Sequence, residues 1–312
     1  MRKEQKILPI DGPHDVMRLV ISGWHGQLAR ALTDAALSAS DVAAVAVGRP
    51  ALDVRDPRSI ERAFADITPD LVINTAAYTA VDDAESEPDK AFVLNRDGAR
   101  QFAAAAARRN VPIIHLSTHY VFDGKKTEPY VETDATVPET VYGRSKLDGE
   151  NAVRDANPHH VILRSGWVFS ATGRNFFTRV CELTTCKNAP LEMVCDQRGN
   201  PTYAPDLAQA ILAIARQIIA RGSNELVWGT YHAAAGGTAS WYDAAREIVR
   251  RLGEAGRPVI DVHPITTVEY PTKAKRPANG TLDCAKLERT FGCRLPAWQH
   301  GIAACMARRL AD

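Results

Sequence analysis

Tyr142 and Lys146 stand four residues apart in Val141-Tyr142-Gly143-Arg144-Ser145-Lys146. On a helix, residues i and i+4 share one face. An ammonium beside a phenol favours the phenolate and lowers the Tyr pKa from its ordinary value of about 10. Such a Tyr can pass a proton to or from a carbonyl or alcohol near neutral pH. Alone, the spacing is that of any amphipathic surface pair. Two further features give it weight. Residues 18–29 read as a strand, a glycine turn and a helix start, and residues 113–118 are an apolar run ending in the hydroxyls of Ser117 and Thr118. A nucleotide turn, a hydroxyl at a strand end and a Tyr/Lys pair, in that order, imply a nicotinamide-dependent carbonyl reductase.

The turn is Gly23-x-x-Gly26-x-x-Ala29. Its glycines allow a tight bend and let a pyrophosphate approach the helix N-terminus, and Ala29 allows close helix–strand packing. The second strand ends in Gly48-Arg49-Pro50. An acidic residue there would bind a ribose 2′-hydroxyl, whereas Arg49 suits a 2′-phosphate. The reading is therefore NADPH, with NADH as the other cofactor the site could take; a solvated loop arginine is the plainer alternative. Asp53 is either an adenine-side acceptor or a cap for the helix that starts near Pro57. After the third strand, the small residues of 74–79, Ala77 and Thr79 among them, would let a cofactor lie flat at the carboxyl ends of the strands. Thr118 would orient the carbonyl that Tyr142 protonates. His119 follows and is read either as a structural hydrogen-bonding residue or as a substrate contact. Trp167 is either core or a wall of the sugar pocket. Arg276 is either a solvated charge or a partner for a substrate diphosphate.

These residues need a frame, and the first half supplies one. Short apolar runs at 19–22, 42–48, 71–74, 112–117 and 161–165 alternate with helical patterns at 29–39, 57–66 and 89–109, and a polar loop spans 123–139. That alternation predicts an α/β fold, a Rossmann-type doubly wound parallel sheet. The second half is less regular, with helices expected at 176–184, 205–221 and 241–252 and a strand at 226–232. The division expected is a dinucleotide-binding domain over 17–165 and a smaller substrate lobe over 166–312 whose elements partly cross back. Residues 1–16 are polar and lack the apolar core of a secretory signal. They read as a disordered extension or an upstream start, with Met17 a natural beginning.

Composition narrows the class. At 312 residues, 45% hydrophobic and 24% charged, the chain is ordinary for a globular protein that buries a sizeable core. A net charge of +1 leaves no nucleic-acid footprint and no polybasic membrane patch. No apolar stretch approaches the roughly 20 residues of a membrane helix. Six cysteines without C-x-x-C spacing read as reduced thiols of a cytoplasmic protein, and no cluster suggests a metal.

From Met17 onward the chain resembles the dTDP-4-dehydrorhamnose reductases, a branch of the extended short-chain dehydrogenase/reductases. The resemblance is carried by the glycine turn at 23–28, the stretches 74–85, 117–124 and 142–150, and later by 164–169, 196–207 and 275–277. It implies reduction of the C4 carbonyl of dTDP-4-dehydro-L-rhamnose to dTDP-L-rhamnose, with Thr118, Tyr142 and Lys146 as the catalytic set. Its cofactor contacts fall on Gly26, Gln27, Leu28, Asp53, Ala77, Tyr78 and Thr79, with Tyr142 and Lys146 at the nicotinamide ribose. Its substrate contacts fall on Thr118, His119 and Trp167. The partner implied is a nucleotide sugar, and the assembly is left open, a homodimer included. Three positions depart from the family's pattern. His119 stands where Asp is usual, Gly166 where Ser or Thr is expected, and Trp24-His25 is a bulkier turn pair. A reductase of another nucleotide-linked 4-keto-sugar and a non-catalytic NADP-binding regulatory subunit are the rival readings.

Overall fold

The apolar runs of the first half become strands with largely buried side chains, as a sheet covered on both faces requires. In the computed structural model, residues 16–186, 189–222 and 227–311 are described. The extension expected at the start lies outside them, apart from Val16. The first half comprises β1 (Met17–Ser22), α1 (Gln27–Leu37), β2 (Val42–Val47), α2 (Pro57–Ile67), β3 (Leu71–Asn74), α3 (Val81–Ser86), α4 (Pro88–Phe92), α5 (Ala99–Ala107), β4 (Ile113–Thr118), α6 (Val141–Ala156) and β5 (His160–Ser165). The second half adds β6 (Val168–Phe169), α7 (Phe176–Cys186), β7 (Leu191–Val194), β8 (Arg198–Gly199), β9 (Thr202–Tyr203), α8 (Ala204–Arg221), β10 (Gly229–His232), β11 (Ala239–Ser240), α9 (Trp241–Glu254), β12 (Val262–Ile265), α10 (Ala285–Phe291) and α11 (Trp298–Ala311).

Six strands form the main sheet in the order β10-β5-β4-β3-β1-β2, and every pairing in it is parallel. The winding reverses between β1 and β3, so the crevice where open α/β sheets bind ligands lies beside the end of β1. Apolar side chains of α1 and α8 pack on one face of the sheet, and those of α2 and α5 on the other. A separate apolar cluster joins α7, α9 and α11. β10 comes from the second half yet pairs with β5.

The register aligns the strand ends that matter. Ser22 pairs with Val47 and Asn74, Asn74 with His115, and Thr118 with Ser165. Ser22 Oγ donates to Asn74 Oδ1 at 2.6 Å and accepts from the backbone N–H of Thr75 and Ala76. That buried set fastens the loop after β3 to the end of β1.

Two expected elements differ. The helix predicted over 89–109 is interrupted by a π-helical turn at Val93–Gly98. Within that turn Asn95 accepts from Tyr78 N–H at 2.7 Å and donates to Ser145 Oγ at 2.9 Å. Helical periodicity cannot show a one-residue widening whose partners lie on a loop and a distant helix. The expected strand at 226–232 begins at Gly229, and Leu226 lies outside the described residues.

Candidate active site

Each chemical group is delivered by a strand end or a helix start. Thr140 caps α6, accepting from Gly143 N–H at 2.9 Å, which satisfies one free donor of the first turn. One turn along, Tyr142 and Lys146 face the end of β4, and both are buried. Lys146 Nζ donates to the Leu116 carbonyl at 2.6 Å. The Thr118 hydroxyl accepts from Tyr120 N–H at 3.2 Å and lies beside the Tyr142 phenol, whose pKa it lowers. Thr118, Tyr142 and Lys146 thus meet at one point.

Electrostatics there correct a sequence-based expectation. Lys146 was expected to lower the Tyr142 pKa. Without a ligand, burial dominates and pushes the phenol up to about 12, while the Thr118 hydrogen bond pulls the other way. Burial brings Lys146 down to about 8, with the Glu150 carboxylate opposing that fall. The ammonium spends its contact on a backbone carbonyl rather than on the phenol.

The set opens into a cleft of 1180 Å³ at the carboxyl edge of the sheet. Gly26, Gln27, Leu28, Ala77, Thr79, Thr118, His119, Tyr142, Lys146, Trp167 and Arg276 all line it. Gly23 shapes the turn beneath, with φ +86, a conformation that favours glycine. A side chain at Gly26 would project into open space. A bare backbone turn at a helix start, facing an open cleft, fits a dinucleotide pyrophosphate. Gln27 is bound on both sides, donating to the Val168 carbonyl and accepting from Ser170 Oγ at 2.9 Å. This ties the turn to the segment after β5.

Four of the expected residues have partners or places that the sequence did not show. Asp53 is not the cap of α2. Its carboxylate takes Arg55, with Nε at 2.9 Å, and that hydrogen bond holds it below its ordinary pKa. The cap of α2 is Asp56, which sits next to Pro57 where Asp53 does not. Tyr78 turns its phenol to Glu87 Oε2 at 2.8 Å and does not line the cleft. Arg276 reaches the cleft but is no solvated charge: it donates to Asp82 at 2.5 Å and to Tyr120 Oη at 3.2 Å. Arg49 is exposed at the end of β2, outside the cleft lining.

Trp167 forms a wall of the cleft rather than core. Its φ is +48, and its ring stacks on Trp241 at 3.6 Å between centroids. The bulky turn pair also has a place. The Trp24 ring lies against Gly48 so closely that a Cβ there would be 2.3 Å from it.

Residues without an expected role complete the site. Glu150, two turns beyond Tyr142, accepts from Ser117 Oγ at 2.5 Å, from Arg164 at 2.7 and 2.9 Å and from Arg154 at 2.8 Å. Tyr120 packs edge-on to Tyr142 with centroids 5.4 Å apart. Glu150 sits on the same helical face as Tyr142 and Lys146, a signal available from spacing. Nothing local marks Tyr120.

A doubly wound parallel sheet, a glycine turn under an open cleft and a Thr/Tyr/Lys set at the strand ends define a nucleotide-dependent oxidoreductase of the short-chain dehydrogenase/reductase type. Within that class, the family model described as RmlD substrate binding domain matches residues 17–310, and the chain belongs to this family, that of the dTDP-4-dehydrorhamnose reductases. A dTDP-4-dehydrorhamnose reductase of Sinorhizobium fredii is 48% identical over 91% of this chain and 95% of its own length. The crystal structure of a dTDP-4-dehydrorhamnose reductase from Clostridium acetobutylicum is 34% identical, with a TM-score of 0.86 over 95% of this chain and 100% of that one. That of Bacillus anthracis, in complex with NADP, is 30% identical, with a TM-score of 0.85 over 94% and 99%. No described helix is long and apolar enough to cross a membrane.

Proposed function

We propose that the chain is an NADPH-dependent reductase of dTDP-4-dehydro-L-rhamnose that forms dTDP-L-rhamnose, the last step of dTDP-rhamnose synthesis. The observation that carries this is the meeting of Thr118, Tyr142 and Lys146 in one cleft, in a chain 48% identical to a reductase of that name. When bound, the reduced nicotinamide supplies hydride to the sugar C4 carbonyl. Gly23, Gly26, Gln27, Leu28, Asp53, Ala77, Tyr78 and Thr79 would hold the cofactor, with Tyr142 and Lys146 at the nicotinamide ribose, and the exposed Arg49 would meet its 2′-phosphate. NADH is the alternative cofactor.

The chain's own groups manage the proton. A buried neutral phenol is a loaded acid, and reduction of a carbonyl needs one. Tyr142 gives its proton to the C4 oxygen, and Thr118, beside that phenol, orients the carbonyl. Lys146 places a positive charge beside the phenolate that remains. His119 and Trp167 would face the sugar nucleotide. Arg276, fixed by Asp82 and Tyr120, would present one side of its guanidinium to the diphosphate. The setting is cytoplasmic, and a homodimer is an expectation that light scattering would check.

The test is a panel of nucleotide-linked 4-keto-sugars with purified protein and NADPH. dTDP-4-dehydro-L-rhamnose should give the highest kcat/KM. Absence of NADPH oxidation with it, or a clear preference for another sugar, would overturn the reading.

A further inference from the structure

His119 follows Thr118 directly and lines the cleft, yet the residue is only 3% exposed. Two backbones explain how it fits. A Cβ on Gly166 would lie 2.4 Å from His119 Nδ1, and a Cβ on Gly280 would lie 2.2 Å from Cδ2 and 2.7 Å from Nε2. At such distances a side chain on either glycine would force the ring to move. The slot for the imidazole therefore exists only because both residues are glycine. Tyr120 closes another side, with ring centroids 4.7 Å apart.

Neither backbone can easily retreat. Ser165, just before Gly166, is paired with Thr118 in the main sheet. Trp167, just after it, has positive φ and is stacked on Trp241. Gly280 N–H donates to the Arg198 carbonyl at 2.8 Å, and Asn279 N–H to the Gly124 carbonyl at 3.0 Å. The ring is held from the ends of β4 and β5 and from the segment beside β8.

The ring's chemistry is also set. Nδ1 has no hydrogen-bond partner. Burial pushes the imidazole down to about 4, only partly offset by the Ser165 carbonyl, so it is neutral in the working range. A neutral imidazole carries one donor and one acceptor, whereas a carboxylate is acceptor-only and charged. The two departures at 119 and 166 from the family's pattern are thus in contact with each other.

We propose that His119 is the specificity-determining wall of the keto-sugar subsite, and that Gly166 and Gly280 are positioning residues that act through it. This rests on the functional reading above and names the residue that selects its substrate. The part of the cleft that the ring shapes is the end beside the reacting carbonyl, since Thr118 is the adjacent residue. Gly280 does not line the cleft, and the atoms that a side chain there would meet first are those of the ring.

The experiment is a rescue. Gly166→Ser and Gly280→Ala should each raise the KM for the keto-sugar by roughly tenfold or more while the NADPH Kd changes by less than about twofold, the pattern of lost sugar binding alone. In a His119→Asp background, where the smaller side chain frees the slot, either glycine substitution should change KM by less than about threefold, a non-additivity expected only of residues in contact. Should Gly166→Ser fail to fold, the double variant must fold and bind NADPH. Unchanged KM in the single variants, or penalties that persist in full in the His119→Asp background, would overturn the proposal. The KM is measured on whichever member of the panel the wild type turns over. If it turns over none, the functional reading has failed, and the clamp is read from thermal unfolding instead: the Gly166→Ser penalty must then vanish beside His119→Asp, or the clamp is wrong too.

Discussion

Tyr142→Phe should lower kcat by about 10²–10⁴-fold, the usual contribution of a positioned general acid, with NADPH affinity largely kept. The phenol is buried at the mouth of α6, beside Thr118 and flanked by the Tyr120 ring. Phe preserves that packing and removes only the proton donor. The hydroxyl acts on the developing alkoxide more than on the bound carbonyl, so the loss belongs in kcat rather than in KM. Stopped-flow reduction with saturating NADPH would read it. A variant within about tenfold of wild type would remove Tyr142 from the proton transfer.

Glu150→Gln should cost about 3–5 kcal/mol of stability, as removal of one partner from a buried ion pair does. Glu150 is fully buried and Arg164 is 3% exposed. Burial pushes the carboxyl pKa up, but Arg164, Ser117 and Arg154 together outweigh it and hold the group below its ordinary value near 4.5. Gln can replace some hydrogen bonds but leaves the Arg164 cation without its counter-charge. For a chain of this size the melting temperature should fall by on the order of 10 °C. The pH dependence has a definite sign. Because the folded pKa is depressed, the carboxylate's contribution is complete above about 4.5 and is lost as pH falls through the folded pKa. The wild type should therefore lose its advantage over the variant in acid. A melting temperature within about 2 °C of wild type at neutral pH would show that the network carries little.

What could be read from the sequence was local. The glycine turn, the strand ending in Thr118 and the Tyr142/Lys146 pair are each written within a few consecutive residues, and the sheet follows from alternating apolar runs. What could not be read depends on distant partners. Arg276 meets Asp82 across 194 residues, and Gly280 approaches His119 from the far end of the chain. Asn95 leaves its helix to hold Tyr78 and Ser145, and an isolated Asn carries no mark of that. The cap of α2 was hidden for a related reason. Two acidic residues precede Pro57, and only the geometry shows Asp56 as the cap and Arg55 as the partner of Asp53.

This cleft should reduce the C4 carbonyl of a dTDP-linked keto-sugar. The most direct measurement follows a label. With dTDP-4-dehydro-L-rhamnose and NADPH deuterated at nicotinamide C4, proton and deuterium NMR of the product should place deuterium on sugar C4 of dTDP-L-rhamnose from one face of the nicotinamide only. Deuterium at any other sugar carbon, or unconsumed keto-sugar beside folded protein that binds NADPH, would contradict it.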